Sequence, residues 1–218
     1  MITTVGGTKG GSGKTSAATN LAIMRIRAGR KTLLVDADEQ RSASEFVEQR
    51  EALGHGTLPC VQLVGQNVVA QLRVLAPNYD DIIVDTGGRD TQSQRSALLA
   101  SDVLLLPFQP GNYDLWTVAQ VEQLIGDIRS INEKLRALAF ISRGYPVGAD
   151  NGEAAAMLRK SEVIKFLDVT IIGRKAFNSS AGEGLAVVEM PKPDKKAVAE
   201  IEQLYRAVFE PVAATVAA

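Results

Sequence analysis

The sequence predicts an α/β domain in which a doubly wound, mostly parallel sheet carries helices on both faces. Two observations support this fold class. Short segments that are apolar at every position alternate with segments of helical periodicity, and strands of that kind are buried on both faces. A glycine-rich segment, residues 6–13, also stands between the first strand and the first helix, which is where a phosphate loop occurs.

The individual elements follow from apolar spacing and from local start and stop signals. The predicted strands are residues 2–5, 31–35, 60–64, 81–84, 103–106, 138–142 and 169–172. The predicted helices are residues 14–28, 42–53, 68–76, 92–100, 115–131, 153–166 and 194–209. Gly29 ends the first helix, Ser42 and Glu45 form a capping box at the start of the second, and Pro107 ends the fifth strand.

Composition excludes several classes of protein. The 218 residues are 45% apolar and 22% charged, which suits one globular domain over residues 1–218. Cys60 and His55 are the single cysteine and histidine, so we expect no disulfide, iron–sulfur or zinc site within one chain. No stretch resembles a membrane span or a signal peptide, and we therefore expect a cytoplasmic protein.

The phosphate loop is the most informative segment. Its residues 9–15 are Lys-Gly-Gly-Ser-Gly-Lys-Thr. Glycines let backbone N–H groups turn toward an anion, and the helix that follows adds its positive end. Lys14 supplies a charge for the β- and γ-phosphates, and the Thr15 hydroxyl can ligate Mg²⁺. The strict pattern asks for glycine at position 8, where this chain has Thr8, and it carries a second lysine, Lys9.

Residues 9–15 resemble the deviant phosphate loop of the ParA/MinD family of ATPases, and the short, ParF-like partition ATPases match best in length and layout. The resemblance implies bound ATP and Mg²⁺, a nucleotide-sandwich homodimer, and a Lys9 that reaches the partner's phosphates. The nucleotide-binding residues that it implies are Gly10, Gly11, Ser12, Gly13, Lys14, Thr15, Ser16 and Arg143. Because the loop begins at residue 7, we expect no separate N-terminal DNA-binding domain.

Carboxylates at the ends of two predicted strands fit the same site. Asp36 and Asp38 follow the second strand and Asp85 ends the fourth, so both strands direct acids toward the ligand-binding edge of the sheet. The resemblance implies that Asp38 positions the attacking water and that Asp36 and Asp85, with Thr15, support Mg²⁺. The alternative is that Asp36 and Asp38 are loop caps. The family usually has proline where Glu39 stands and Thr-Pro-Pro at residues 86–88, which here are Thr-Gly-Gly.

Absences narrow the choice among family functions. The chain lacks the cysteine pair of iron–sulfur members, and residues 210–218 contain no Lys or Arg of the kind that docks MinD-like members to membranes. We therefore expect no membrane partner. Asp114 is interpreted as a helix cap or an interface residue, and Trp116 as a packing or interface residue.

Charge is distributed unevenly although the net charge is only −1. Residues 134–175 contain eight basic and four acidic residues, a net +4, which leaves −5 on the rest of the chain. A basic segment of this kind favours non-specific DNA binding through phosphate contacts, and an ordinary solvated surface is the alternative. The residues assigned to DNA contacts are Arg174, Lys175, Lys192, Lys195 and Lys196.

The sequence therefore predicts a slow ATPase of the ParA type. It would dimerise with ATP, bind DNA non-specifically on the nucleoid, and position a plasmid, chromosome or other cargo. A ParB-like partner protein would stimulate hydrolysis. Two alternatives stay open: a metabolic P-loop enzyme that acts on a small molecule, and a positioning ATPase for a protein assembly.

Overall fold

The computed structural model describes residues 1–7, 9–88, 91–111 and 115–210, and the side chains of these residues except 115–117. The strands are β1 (Ile2–Val5), β2 (Thr32–Ala37), β3 (Cys60–Gln62), β4 (Asp81–Thr86), β5 (Val103–Phe108), β6 (Arg136–Gly144) and β7 (Lys165–Ile172). The helices are α1 (Lys14–Arg27), α2 (Ser42–Ala52), α3 (Val68–Leu75), α4 (Gln92–Leu98), α5 (Leu115–Arg129), α6 (Asp150–Leu158), α7 (Lys175–Gly182) and α8 (Lys195–Phe209). Thr8, Asp114 and the Trp116 side chain lie outside the described residues, as do the predictions made for them.

The seven strands form one parallel sheet in the order β3-β2-β4-β1-β5-β6-β7. The predicted doubly wound fold is confirmed. β1 lies at the centre of the sheet, between β4 and β5, and its register pairs Val5 with both Asp85 and Leu105. All strands run in one direction, so every strand presents its carboxyl end at the same edge.

Helices cover both faces of the sheet. Alternate residues of β5 face opposite sides: Leu105 packs into a core with α1, α2, α7 and α8, whereas Leu104 packs into a core with α5 and α6. A third cluster joins β2 and β4 to α3. The central strands are buried at every position because helices cover both of their faces, which explains why they are apolar without alternation.

Three local predictions were wrong. β5 runs through Pro107 to Phe108, because β1 ends opposite Leu105 and β5 continues paired with β6 alone. The helix predicted over residues 153–166 ends at Leu158, and Phe166 lies in β7. There the Ser161 hydroxyl accepts hydrogen bonds from the N–H groups of Val163 and Ile164 and turns the chain into the strand.

The third error concerns the start of α2. Ser42 is the first helical residue rather than the cap, and Arg41 occupies the cap position in a left-handed conformation, φ 58°, with no side-chain cap. The predicted capping box is therefore absent. Helix α7, which the sequence analysis did not predict, packs Phe177 against the first core. None of the helices within the described ranges combines the length and the apolar character needed to cross a bilayer.

A buried ion pair connects α2 to the segment before α8. The Arg50 guanidinium donates to both carboxylate oxygens of Glu189, each at 2.8 Å, and to the carbonyl oxygens of His55, Gly56 and Gly184. A Cβ on Gly184 would lie 2.5 Å from the Arg50 Cα, so the two backbones are in direct contact. This contact ties the C-terminal part of the chain to the helix that follows the Asp36–Asp38 loop.

We expect Glu189→Ala to lower the free energy of unfolding by about 3 kcal/mol, because it leaves the buried Arg50 charge without its partner. Glu48→Ala is the matched control. It removes the partner of Arg41 from a pair in which both side chains are at least half exposed, so the cost should stay below about 0.5 kcal/mol. Urea unfolding of both variants tests this, and equal changes would contradict it.

Candidate nucleotide-binding site

The phosphate loop lies between the central strand β1 and helix α1, at the carboxyl edge of the sheet. Gly13 precedes α1 in the left-handed conformation, φ 90°, and a Cβ there would lie 2.8 Å from the Ser142 hydroxyl oxygen. Both features require glycine. Gly10 and Gly11 are exposed at the tip of the loop, where no side chain blocks the backbone. The loop thus has the open backbone of an anion cradle at a helix N-terminus.

Lys14 is the buried cation of the site. Its side chain turns back over the loop, and Nζ donates a hydrogen bond of 2.9 Å to the carbonyl oxygen of Lys9. Burial lowers the pKa of Lys14, and the nearby carboxylates of Asp85 and Asp38 oppose that shift. The Lys14 amino group is therefore held against the backbone of the phosphate loop.

Asp85 is the buried acid of the site. Its side chain is almost fully enclosed, and within the described ranges no donor meets hydrogen-bond geometry at either carboxylate oxygen. Burial raises the pKa of Asp85 to about 7; the nearby Thr15 hydroxyl and Lys14 oppose the rise, whereas Asp36 adds to it. The hydroxyl oxygen of Ser12 is likewise buried without a described partner. Unsatisfied oxygens beside a buried lysine fit a site that is completed by Mg²⁺ and phosphate.

Asp36 has a structural role that the sequence left as an alternative. Its carboxylate accepts hydrogen bonds from the Ser44 N–H and hydroxyl, both at 2.7 Å, and from the Asp38 N–H at 3.1 Å. Asp36 therefore supplies the acceptor that the first turn of α2 lacks locally. These bonds hold the loop in place, and the magnesium role of Asp36 stays a prediction. Cys60 lies nearby, and burial raises the pKa of its thiol to about 11.

The segment after Asp85 lies directly on the phosphate loop. A Cβ on Gly88 would be 2.5 Å from the Gly10 Cα, and one on Gly87 would be 3.1 Å from an oxygen of Asp38. Glycine at position 88 therefore allows a backbone contact with the phosphate loop that a side chain would prevent. Asp38, Lys14, Thr15 and Gly88 together line a cavity of about 370 Å³ at the loop.

A second cavity of about 360 Å³ adjoins the phosphate loop on the side of β6 and β7. Its floor is apolar and includes Phe140, Ile171 and Phe177, and its rim includes Gly13 and Arg143. Arg143 adopts a left-handed conformation, φ 52°, and borders both cavities. An apolar hollow beside an anion cradle has the character expected for the base of a nucleotide.

The basic segment 134–175 does not form one surface. Arg136 and Lys165 stand at the starts of β6 and β7, whereas Arg143 and Arg174 stand at the opposite ends of these strands, roughly 23 Å away. Lys175 begins α7, and exposed Lys195 and Lys196 begin α8. Arg174, Lys175, Lys195 and Lys196 therefore belong to the carboxyl edge of the sheet, where the phosphate loop also lies.

Arg174 differs from the other proposed DNA contacts because it is engaged within the fold. Its guanidinium makes two hydrogen bonds, of 3.0 and 2.8 Å, to one oxygen of Glu200 on α8, and the other oxygen accepts from the Ile172 N–H. The contact joins α7 to α8. A DNA contact by Arg174 stays a prediction, as do those by Lys175, Lys192, Lys195 and Lys196.

Sequence reasoning missed two residues that shape the site. Ser44 anchors Asp36, and Gln94, on α4, contacts both the phosphate loop and Thr86. Both are common polar residues without a motif of their own, so their contacts depend on the tertiary fold. No group of three or more His, Cys, Asp or Glu residues is arranged to hold a metal within the part of the chain that the structure describes.

A phosphate loop on a central parallel strand, with a buried lysine and a buried carboxylate beneath it, defines a P-loop nucleotide-binding protein. The family model described as the CobQ/CobB/MinD/ParA nucleotide binding domain matches residues 3–188. The chain therefore belongs to this family, and the resemblance to ParA and MinD is confirmed.

Relatives match nearly the whole chain. The protein named maintenance of carboxysome distribution protein A from Halothiobacillus neapolitanus is 26% identical over 202 residues, 92% of this chain and 93% of the relative. Its namesake from Gloeobacter kilaueensis is 30% identical over 204 residues, 93% and 89% of the two chains. The structure of a plasmid partition protein from Borrelia burgdorferi bound to AMPPNP has the same fold, with a TM-score of 0.72 at 21% identity over 97% and 99% of the chains.

Opposite stability effects are expected at the two ends of β4. Asp85→Asn should raise the free energy of unfolding of the nucleotide-free protein by about 2 kcal/mol at pH 8, because it removes a buried charge that no described donor stabilises. Asp81→Asn should lower it by about 3 kcal/mol, because Asp81 accepts two hydrogen bonds, of 2.6 and 2.9 Å, from Arg25.

The effect of Asp85→Asn should also depend on pH. The pKa of Asp85 rises on folding from its ordinary value of 3.8 to about 7, so ionisation destabilises the folded state increasingly between these values. The gain should be complete at pH 8 and should shrink as the pH approaches 4. Denaturant unfolding at several pH values measures it, and a loss of stability at pH 8 would contradict the assignment.

Proposed function

We propose that this chain is a ParA-type ATPase that uses ATP binding and hydrolysis to position a cargo on DNA. ATP joins two chains in a dimer, the dimer binds DNA without sequence preference, and a partner protein on the cargo stimulates hydrolysis and release. The observation that carries the proposal is the phosphate loop with its two lysines, Lys9 and Lys14, beside an Asp85 carboxylate that accepts no hydrogen bond from the described residues. Full-length relatives named for the distribution of an assembly support the positioning role.

The residues divide into those that bind phosphate and those that support hydrolysis. Backbone N–H groups of residues 10–13 and the Lys14 ammonium bind the phosphates, and Thr15 and Asp85 hold Mg²⁺. Magnesium neutralises phosphate charge when it is bound. Asp38 would position the attacking water, the role that the family resemblance implies; its place at the same cavity as Lys14 supports this. Phosphoryl transfer relies on positioning and charge neutralisation, and no described residue of the site is assigned as a general base, so a slow intrinsic rate is expected.

Placement of the lysines supports the DNA-binding part of the proposal. Lys175, Lys195 and Lys196 occupy the first turns of α7 and α8. Cations are locally unfavourable at the positive end of a helix, so these lysines do not stabilise their own helices. An external phosphate would satisfy both the lysines and the helix ends. The protein would then be found on the nucleoid in its ATP-bound form.

Two kinds of cargo are candidates, a plasmid and a protein assembly. The two carboxysome-distribution relatives favour a protein assembly as cargo rather than a plasmid, whereas the Borrelia structure belongs to a plasmid partition protein. Both cargoes require the same ATP-dependent binding to DNA. Pull-down of candidate partners with ATP separates them: a DNA-bound centromere-binding protein supports plasmid partition, and a shell-associated protein supports an assembly. A metabolic enzyme would show neither DNA retention nor such a partner.

The lysines of the phosphate loop should have separable roles. Lys14→Ala should abolish nucleotide binding, because it removes the charge beneath the loop. Lys9→Ala should leave monomer binding within about threefold but remove ATP-dependent dimerisation or hydrolysis, because its proposed target lies on the partner chain. Titration calorimetry, light scattering and phosphate release test this. Normal ATP affinity in Lys14→Ala would disprove the loop assignment, and intact dimerisation and turnover in Lys9→Ala would disprove the dimer role.

DNA retention should depend on ATP and on the carboxyl edge of the sheet. We expect the wild-type protein to be retained on non-specific duplex DNA with ATP but not with ADP or without nucleotide. Lys195→Glu combined with Lys196→Glu should abolish retention at physiological salt and reduce the salt dependence by about two counterions. Lys134→Glu combined with Lys165→Glu, at the opposite edge, is the control and should leave retention unchanged. Loss with the control pair alone would place the DNA surface elsewhere.

A further inference from the structure

Gln94 is a fully buried glutamine that contacts two parts of the nucleotide site at once. Its Oε1 atom accepts a hydrogen bond of 3.0 Å from the Gly7 N–H at the start of the phosphate loop. The same atom lies 3.0 Å from the Thr86 hydroxyl, directly after Asp85. One oxygen thus joins the loop that binds phosphate to the segment that continues into Gly87 and Gly88.

The Gln94 side chain makes these contacts instead of the hydrogen bond that would cap its own helix. Thr91 caps α4 by accepting a hydrogen bond from the Gln94 N–H, so residues 91 and 94 have the spacing of a capping box. In that motif the glutamine side chain would turn back to the N–H of Thr91. Here it points into the protein instead, and its place in the helix therefore does not explain why a glutamine is present.

The surrounding packing fits this one side chain. A Cβ on Gly6 would lie 2.9 Å from Gln94 Oε1, so glycine at position 6 leaves the space that the amide occupies. Beyond Thr86, Gly88 packs against Gly10. The segment 86–88 and the phosphate loop therefore meet at two points, through Gln94 at the base and through Gly88 at the tip.

The hydrogen bonds around Gln94 allow more than one arrangement. The Thr86 hydroxyl has one proton, yet it lies 3.0 Å from Gln94 Oε1 and 3.0 Å from the carbonyl oxygen of Val5. The Gln94 Nε2 donor is buried and has no acceptor among the residues that the structure describes. A purely structural amide would be expected to satisfy both of its ends. Among the described residues, the Gln94 amide has no acceptor for its Nε2 donor, and its oxygen faces a Thr86 hydroxyl that can instead donate to Val5.

We propose that Gln94 is a positioning residue that couples the segment 86–88 to the phosphate loop and thereby sets the preference for ATP over ADP. The inference rests on the proposed ATPase function. ATP and ADP differ only in the γ-phosphate, and the segment that contacts both Asp38 and Gly10 is placed to respond to it. The Gly7 N–H and the Thr86 hydroxyl both lie 3.0 Å from the same Gln94 oxygen, so a shift of Thr86 that moves the Gln94 amide changes the hydrogen bond that holds Gly7.

The test compares affinities for AMPPNP and ADP, both with Mg²⁺, by titration calorimetry. Gln94→Met keeps the size of the side chain but removes the oxygen, and it should reduce the ratio of AMPPNP to ADP affinity about fivefold, the effect of losing one buried hydrogen bond. Gln94→Glu keeps an acceptor oxygen and should preserve the ratio within about twofold. Gln92→Met makes the same substitution at an exposed position of the same helix and should change nothing.

Several results would overturn the proposal. One is an unchanged ratio of AMPPNP to ADP affinity in Gln94→Met. Another is an equal loss of affinity for both nucleotides, which a purely structural role would produce. A third is an equal change of the ratio in Gln94→Met and Gln94→Glu. Should Gln94→Met fail to fold by circular dichroism, Thr86→Val and Thr86→Ser replace it. The valine variant, which lacks the hydroxyl, should shift the ratio, and the serine variant should not. Failure of the wild-type protein to bind either nucleotide would instead disprove the proposed function.

Discussion

The burial of opposite charges at the carboxyl edge of the sheet is the constraint on which the site depends. Lys14 and Asp85 are both enclosed, yet Lys14 donates to a backbone carbonyl and Asp85 accepts no described hydrogen bond. Protein interiors rarely keep a carboxylate in this state, because desolvation disfavours its charged form. The fold tolerates this cost because its cores, on both sides of a seven-stranded sheet, are apolar and closely packed. The site is thus built to be completed by a cation and an anion together.

Glycine allows the parts of the site to approach each other closely. Gly88 lies on Gly10, Gly6 makes room for Gln94, and Gly184 lies against the backbone of Arg50. Each contact joins segments that are far apart in sequence. Two of them connect the segments that surround the phosphate loop, one through the Gln94 side chain and one through direct backbone contact. The third fixes α2 to the C-terminal part of the chain through the buried pair of Arg50 and Glu189.

The charge distribution has a different meaning in three dimensions than along the chain. The net charge is −1 although residues 134–175 carry a net charge of +4. The basic residues of this segment are divided between the two opposite edges of the sheet. Lysines at the starts of α7 and α8 lie at the same edge as the phosphate loop. Nucleotide binding and the proposed DNA contacts therefore share one side of the molecule, which is the arrangement that a nucleotide-controlled DNA binder requires.

The sequence by itself determined the fold class, every element except α7, and the place of the phosphate loop between the first strand and the first helix. These depend on local information: fully apolar strands, helical periodicity, and a glycine-rich loop whose neighbours in sequence are its neighbours in space. The end of β5 was predicted wrongly, because proline is a common stop signal for a strand. β5 continues through Pro107 because β1 has already ended on one side and β6 still pairs with β5 on the other. Only the tertiary structure decided that Asp36 caps α2 through Ser44, that Arg174 is held by Glu200, and that Gln94 joins two loops. Each of these contacts joins separate elements, and hydrogen bonds of that kind are set by how elements pack rather than by any pattern along the chain.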